Sequence, residues 1–289
     1  MDIGVHPLTI NPTQAWETMK PHQHVMRFKV KNPKDPPGDR KARIVCMSDT
    51  HSLTSHITRE IPEGDIFIHA GDFTRSGAFK EVKEFNSWLS QLKHKHKIII
   101  AGNHELSLDE SYHPNNESRQ IGIDIGHFLK KNDETKESFT KEDIRKELTN
   151  CVYLQDSYVT VYGLKIYGTP WQPEFGGWAF NLKRGSKCLD KWDLIPDDTD
   201  ILITHSPPVG YGDHCSTGVR AGCVELLNTV QRRVKPKYHI YGHIHEGYGV
   251  RSDGKIVFIN ASTCNVNYVP NNKPIVIDVP IPEGFSKAD

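Results

Sequence analysis

The 289-residue chain has no hydrophobic run that could form a membrane-spanning helix. Such a helix takes about 20 consecutive apolar residues, and no stretch approaches that length. The amino terminus, MDIGVHPLTINP, also lacks the basic and then apolar layout of a secretory signal. We therefore expect a soluble, intracellular and cytoplasmic protein that has no membrane partner.

The chain also lacks net charge and closely spaced cysteine pairs. Lys+Arg and Asp+Glu both number 36, which argues against a dedicated nucleic-acid binder because phosphate contacts need a basic surface. The six cysteines are scattered without a C-x-x-C pair, so the sequence indicates neither a zinc ribbon nor a disulfide scaffold. We see no internal repeat, and the length suits one large domain or two small ones.

Short apolar runs alternate with loops along most of the chain. Residues 1–41 look irregular because NPKDPPGDRK is rich in proline and charge. We expect them to form an arm that lies over a domain at 42–289. Apolar runs at 43–47, at 66–69 and in KIIIA predict buried strands, GAFKEVKEFNSWLSQL has helical spacing, and YVTVYGLKIYG predicts a hairpin. Strand, helix and strand in succession predict parallel pairing and a layered α/β fold.

Five loops that follow predicted strands carry side chains able to bind metals. Residues just past the carboxyl ends of strands in a layered α/β sheet converge on one crevice. A single Asp or His after a strand is ordinarily a turn residue, but five such loops in order are hard to attribute to chance. The loops are Asp49-Thr50-His51, Gly71-Asp72, Gly102-Asn103-His104-Glu105, Thr204-His205 and Gly242-His243-Ile244-His245.

The chemistry of these side chains indicates two metal ions. Carboxylates, an amide oxygen and several imidazoles, without cysteine, suit Mn²⁺, Fe and Zn²⁺. The set is too large for one tetrahedral zinc and suits two ions about 3.5–4 Å apart that share a carboxylate. Such a pair activates water and neutralises charge on a phosphate, so the loops predict phosphoryl chemistry.

The order of the motifs resembles the calcineurin-like metallophosphoesterase superfamily. Longer strings such as HAGDFT, AGNHELS, HSPPVG and GHIHEGYG resemble its metallophosphoesterase domain-containing subfamily, and the resemblance covers residues 42–279. It implies a four-layer α/β/β/α sandwich. It also implies a catalytic His104 that binds no metal and assists the leaving oxygen, since expelling an alkoxide needs a proton donor. The metal ligands it implies are Asp49, His51 and His245 for the first ion, Asn103, His205 and His243 for the second, and Asp72 as the bridge between them.

We therefore expect a dinuclear phosphodiesterase that acts on cyclic nucleotides or similar small phosphodiesters. Mn²⁺ is the first choice of metal, with Fe and Zn²⁺ as alternatives. The motif loops carry few arginines, which favours a diester, because monoesterases usually add arginines for a dianionic substrate. The alternatives are a catalytically weak nucleotide-binding regulator or scaffold, a phosphomonoesterase and a protein phosphatase. Nucleic acid is not an expected partner, and the sequence does not indicate an oligomeric state.

Some residues beside the motifs have two interpretations. Glu105 either orients His104 or accepts backbone hydrogen bonds within its loop. The two tryptophans of PWQPEFGGWAFN either pack within that loop, which we favour, or stack against a nucleobase. We expect His94 and His96, in KHKHK, to lie in a solvated basic turn.

Overall fold

A computed structural model of the chain describes residues 3–30, 32–57, 61–112 and 140–288. The polar and charged segment 107–149, which could hold helices and an insertion judging by its sequence, falls largely on residues outside these ranges. None of the helices in the described part of the chain is long and apolar enough to cross a bilayer. The helices are α1 (Pro12–Met19), α2 (Phe79–Gln91), α3 (Lys141–Lys146), α4 (Ser186–Trp192) and α5 (Val224–Asn228), and a π-helical segment, Thr229–Val234, continues α5.

The strands form two large mixed sheets and one small ribbon. The strands are β1 (Met26–Arg27), β2 (Lys41–Met47), β3 (Ile66–Ala70), β4 (His96–Ile100), β5 (Val152–Tyr153), β6 (Ser157–Val161), β7 (Leu164–Thr169), β8 (Gln172–Pro173), β9 (Asn181–Leu182), β10 (Ile201–Thr204), β11 (Tyr238–Tyr241), β12 (Gly249–Ser252), β13 (Val257–Asn260) and β14 (Ile275–Pro280). One sheet has the order β1-β12-β13-β11-β10-β7-β6, another has the order β14-β2-β3-β4-β5, and β8 pairs with β9.

Side chains that alternate along the central strands bury both faces of each sheet. In β2, Ile44 and Cys46 point into the core between the two sheets. Val45 and Met47 point the other way, into a core shared with Phe85 of α2. This period of two explains why the strand reads as a continuous apolar run, since parallel sheets covered on both faces leave no polar side.

The seven-stranded sheet is covered on its outer face by α1, α4 and α5, whereas Ile144 of α3 joins the core of α2 on the five-stranded sheet. Trp16 of α1, Trp192 of α4 and Leu226 of α5 pack in one cluster with Leu202 of β10. Together with the inter-sheet core and the α2 core, this cluster orders the layers as helices, sheet, sheet and helices. The α/β class predicted from the sequence is confirmed, and the layers agree with the sandwich that the resemblance implies.

The amino-terminal arm contains regular structure where the sequence predicts an irregular segment. Helix α1 begins beside Asn11, whose side chain accepts the backbone N–H of Gln14 at 3.0 Å, and Pro12 occupies its first turn. Both are helix-start signals, and the proline-rich segment that suggested irregularity lies farther along the arm. Trp16 is only 2% exposed and packs in the same cluster as Leu202 of β10.

Strand direction brings the five predicted loops to one edge of the two sheets. β2, β3 and β4 run parallel to one another, as do β7, β10, β11 and β13. Each predicted loop begins within three residues of the end of β2, β3, β4, β10 or β11. The polar residues that follow parallel strands therefore converge at the same edge from both sheets.

Candidate metal centre

Strained backbone positions several of the predicted ligands. Asp49, His51, Asp72 and His243 all have positive φ angles, between 43° and 66°, a region that side chains other than glycine rarely adopt. Hydrogen bonds between loops hold this conformation. The N–H of Asp49 donates to Gly71 O at 2.9 Å, and that of His51 donates to Asp72 O at 3.0 Å. Such strain clusters at functional sites, where the surrounding structure enforces it.

The glycines that precede the ligands leave no room for a side chain. A Cβ atom on Gly71 would lie 2.6 Å from His205 Nδ1. One on Gly102 would lie 2.7 Å from the backbone N of Asp72, and one on Gly242 would lie 2.8 Å from Ser48 Cβ. The Gly-Asp, Gly-Asn-His-Glu and Gly-His-x-His motifs need glycine because neighbouring loops approach so closely at these points.

The structure brings the predicted site residues together in overlapping clusters. In each of three groups, the potential ligand atoms all lie within 4.8 Å of one another. Two groups correspond to the two predicted ions, and the third includes His104. The groups are Asp49, His51 and His245; Asp72, His205 and His243; and His51, Asp72 and His104.

Asp72 lies at the junction of these clusters. Its Oδ2 is 3.2 Å from His205 Nε2, 4.0 Å from His51 Nε2 and 3.9 Å from His104 Nε2. Its Oδ1 accepts the backbone N–H of His104 at 2.9 Å. A carboxylate that contacts histidines of both groups has the placement expected of a ligand shared by two cations.

The remaining predicted ligands face the same region. Asn103 Oδ1 lies 3.0 Å from His205 Nε2. On the other side, Asp49 Oδ1 is 3.4 Å from His245 Nε2, which in turn lies 3.2 Å from His51 Nε2. Ile244, between the two histidines of its loop, is 7% exposed.

Backbone carbonyls orient the histidine rings. His205 Nδ1–H donates to Ala70 O at 2.9 Å, and His245 Nδ1–H donates to Asn265 O at 3.0 Å. Each bond leaves the Nε2 lone pair facing the carboxylates, which is the usual arrangement of a metal-binding histidine. Nε2 is therefore the ring atom that a metal would reach once it carries no proton.

The protonation preferences of the cluster also suit cation binding. Burial opposes ionisation of Asp49 and Asp72, but the neighbouring histidines outweigh it and lower the pKa of both carboxyls. Burial lowers the pKa of His51 and His243 to about 3, so both rings are neutral. Burial also disfavours the imidazolium of His205, yet Asp72 outweighs it and raises the pKa of His205 to about 9. Two carboxylates and several imidazoles, of which His205 would lose its proton on binding, form a donor set that fits divalent ions of the first transition row.

A sixth loop supports the ligands without supplying one, and the sequence reasoning missed it. Ser262 Oγ–H donates to Asp49 Oδ2 at 2.8 Å. Asn260 Nδ2–H, at the end of β13, donates to Ile244 O at 2.8 Å and so braces the loop of His243 and His245. Asn260 is the last residue of β13 and Ser262 lies just past it, which is the kind of position that identified the other loops, but serine and asparagine are too common there to single out.

Glu105 and Trp178 make contacts that hold neighbouring parts of the site in place. The Glu105 carboxylate accepts the backbone N–H groups of Gly102 at 2.6 Å and Thr74 at 2.8 Å, among other donors, so it holds loops together. Trp178 packs against the ring of His104, with centroids 4.0 Å apart. His104 is fixed from its other side, because Nδ1–H donates to Arg75 O at 2.8 Å.

Two sheets with a cluster of aspartates and histidines at their shared edge define the metal-dependent phosphoesterase class. A sequence profile of the calcineurin-like phosphoesterases matches residues 42–247, and the chain belongs to that family. Members normally bind two divalent metal ions and hydrolyse phosphoric esters, and the aspartates and histidines described above are candidate ligands.

Similar proteins extend over nearly the whole chain. It is 50% identical to metallophosphoesterase domain-containing protein 1 of Homo sapiens and of Mus musculus, over 97% of this chain and 86% of each relative. It is 41% identical to a UPF0046 protein of Caenorhabditis elegans, over 96% of this chain and 70% of that protein. The similarity therefore includes the amino-terminal arm as well as the domain.

Proposed function

We propose that this chain is a dinuclear phosphodiesterase that hydrolyses small phosphodiesters, cyclic nucleotides among them, with Mn²⁺ as its preferred metal. The observation that carries this proposal is the position of Asp72 between two groups of histidines. When bound, a pair of divalent ions neutralises charge on the phosphoryl oxygens and activates water. The residues proposed to hold the ions are Asp49, His51 and His245 for the first, Asn103, His205 and His243 for the second, and Asp72 for both.

His104 is the proposed proton donor for the leaving oxygen. Its Nδ1–H is engaged by Arg75 O, so Nε2 is the atom that faces the cluster. A positioned imidazole that protonates a departing alkoxide contributes about 10²–10⁴-fold to the rate. Trp178 and the Arg75 carbonyl restrict the ring from two sides, which keeps Nε2 in one place.

The charges around the cluster support a diester substrate. The ion pairs of Asp49 and Asp72 are with histidines. Arg75 is the arginine closest in sequence to the Gly71-Asp72 motif. Its side chain is 66% exposed, and its Nε lies 3.5 Å from Glu81 Oε1. A monoester dianion would need fixed cations to match its second charge, whereas a diester has one negative charge. The geometry therefore favours diesters over the phosphomonoesterase and protein phosphatase alternatives.

The test combines metal analysis with a matched pair of substrates. Metal-stripped protein is reloaded with Mn²⁺, Fe²⁺ or Zn²⁺ and assayed with methyl p-nitrophenyl phosphate and p-nitrophenyl phosphate, which share a leaving group and differ in charge. We expect two equivalents of metal per chain, the highest kcat/KM with Mn²⁺, and a preference for the diester. A preference for the monoester would assign a phosphomonoesterase, and nucleotide binding without turnover of either substrate would assign a regulator.

A further inference from the structure

Two aromatic side chains at the edge of the metal centre are exposed to solvent. Phe175 is 57% exposed and meets the ring of His243 edge-on, with centroids 5.7 Å apart. Tyr268 is 51% exposed and contacts the rings of His51 and His245 at 4.9 and 5.2 Å. Each of the two proposed metal sites therefore has one exposed aromatic ring directly beside its histidines.

The loop that carries Tyr268 is organised by the residue that orients His245. Asn265 O accepts His245 Nδ1–H at 3.0 Å and the backbone N–H of Tyr268 at 2.9 Å. The Asn265 side chain accepts the backbone N–H groups of Asn267 at 2.9 Å and Val269 at 3.2 Å. Tyr268 itself has a φ of 55°. A strained backbone therefore holds a half-exposed ring beside the histidines of the first proposed metal site.

The loop that carries Phe175 is organised in the same manner. Asn181 Oδ1 accepts the backbone N–H of Phe175 at 3.2 Å, and Asn181 Nδ2–H donates to Gly176 O at 2.9 Å. The far end of the loop is tied to the metal centre, because the backbone N–H of Ala179 donates to Asn103 O at 3.1 Å. The backbone of both aromatic residues is thus held in place relative to the proposed ligands.

We propose that Phe175 and Tyr268 form a binding site for a planar aromatic group of the phosphoester. That group is either a nucleobase or an aryl ring. This inference rests on the proposed function, which places the phosphoryl group at the metal centre. Aromatic side chains stack on any flat π-system, and each such contact typically changes affinity about tenfold. Trp178 is assigned a different role, because it packs against His104 and positions that ring.

The experiment measures binding to the Mn²⁺-loaded protein by calorimetry with two ligand pairs. AMP and ribose 5-phosphate share a phosphate and a sugar and differ by the base. Phenyl phosphate and cyclohexyl phosphate differ in the planarity of the ring. We expect the planar member of at least one pair to bind about tenfold more tightly, and the pair that shows the difference identifies the source of the ring. Because the readout is affinity, it is independent of whether the protein turns over a diester.

The matched variants test the two aromatic residues. Phe175→Leu and Tyr268→Leu should each remove most of the preference, whereas Phe175→Tyr and Tyr268→Phe should retain it. The control is Tyr158→Leu, because Tyr158 is 54% exposed and its ring contacts Lys165 Nζ at 4.7 Å. Equal affinities within both wild-type pairs, failure of the planar ligands to bind, or a preference that survives in both leucine variants would overturn the proposal.

Discussion

The buried carboxylate of Glu105 accepts the backbone N–H of Asp72 at 2.9 Å. The same side chain accepts the N–H of Gly102 and both the N–H and Oγ1–H of Thr74. One carboxyl group thus satisfies four donors from the two loops that carry the proposed bridging aspartate and Asn103. The separation of these loops is set by the span of a single carboxylate.

Replacing Glu105 with glutamine should loosen both loops. The amide NH₂ would face one pair of N–H donors and leave those buried groups without a partner, which typically costs about 1–3 kcal/mol. We expect a lower thermal midpoint and weaker Mn²⁺ binding, measured by calorimetry. Glu110→Gln is the control, because Glu110 is exposed on the same segment. A Glu105→Gln variant that matched the control in both measurements would remove Glu105 from this positioning role.

The bridging role of Asp72 predicts the loss of both ions from one substitution. Two adjacent cations repel each other, and a shared carboxylate offsets that repulsion. Asp72→Ala should therefore hold far less than two equivalents of metal per chain, as measured by elemental analysis after gel filtration. Asp190→Ala, which removes an acid that is 64% exposed on α4, should keep wild-type content. Two equivalents in Asp72→Ala would contradict the bridging assignment.

His104 is proposed as a proton donor although its Nε2 lies within reach of the ligand cluster. Metal content separates the two roles, because His104→Ala should retain both ions if the ring is not a ligand. Its kcat should fall by roughly 10²–10⁴ for diesters with alkoxide leaving groups. The loss should be much smaller for nitrophenolate, which departs without a proton. Equal losses with good and poor leaving groups would exclude the acid role.

The sequence predicts those features that depend on short-range patterns. The hairpin of β6 and β7 follows from alternation around Tyr162 and Gly163, whose φ angles of 51° and 75° give the turn expected between such strands. The convergence of the proposed ligands is also predictable, because strand ends in a parallel sheet converge wherever the strands lie in order. The residues that hold the ligands in place are harder to recognise. Asn265 acts on His245 through a backbone carbonyl, and any residue type supplies one.

The expectation for His94 and His96 was wrong for a related reason. KHKHK looks like a solvated turn, but His94 is only 4% exposed, packs against the ring of Phe67 at 5.5 Å and bonds to Pro62 O at 3.0 Å. His96 begins β4. The burial of His94 and the strand position of His96 both depend on contacts with a segment some 30 residues earlier in the chain. The local charge pattern carries no information about those contacts.

Gly102 offers a steric test of the site. A Cβ there would lie 2.7 Å from the backbone N of Asp72 and 2.6 Å from His205 Cε1. Gly102→Ala should push the Asn103 loop away from His205, cost about 1–3 kcal/mol in stability and weaken the second metal site first. Gly4→Ala is the control, because nothing lies within 4 Å of its added Cβ. Equal stability and equal metal binding in the two variants would show that the loop tolerates the methyl group.

Metal binding should be coupled to proton release from His205. The pKa of this residue is raised to about 9, because the charge and hydrogen bond of Asp72 outweigh the effect of burial. At neutral pH the metal-free site therefore holds a proton on His205, and a metal must displace it to reach the neutral ring. The apparent affinity should rise as the pH increases from 6 to 8, by about tenfold per unit for each proton released.

Calorimetry in two buffers with different ionisation enthalpies counts those protons directly. His205→Asn, which has no proton to lose at this position, should release about one proton fewer and show a shallower pH dependence. Identical proton counts for wild type and variant would mean that His205 is already neutral in the metal-free protein.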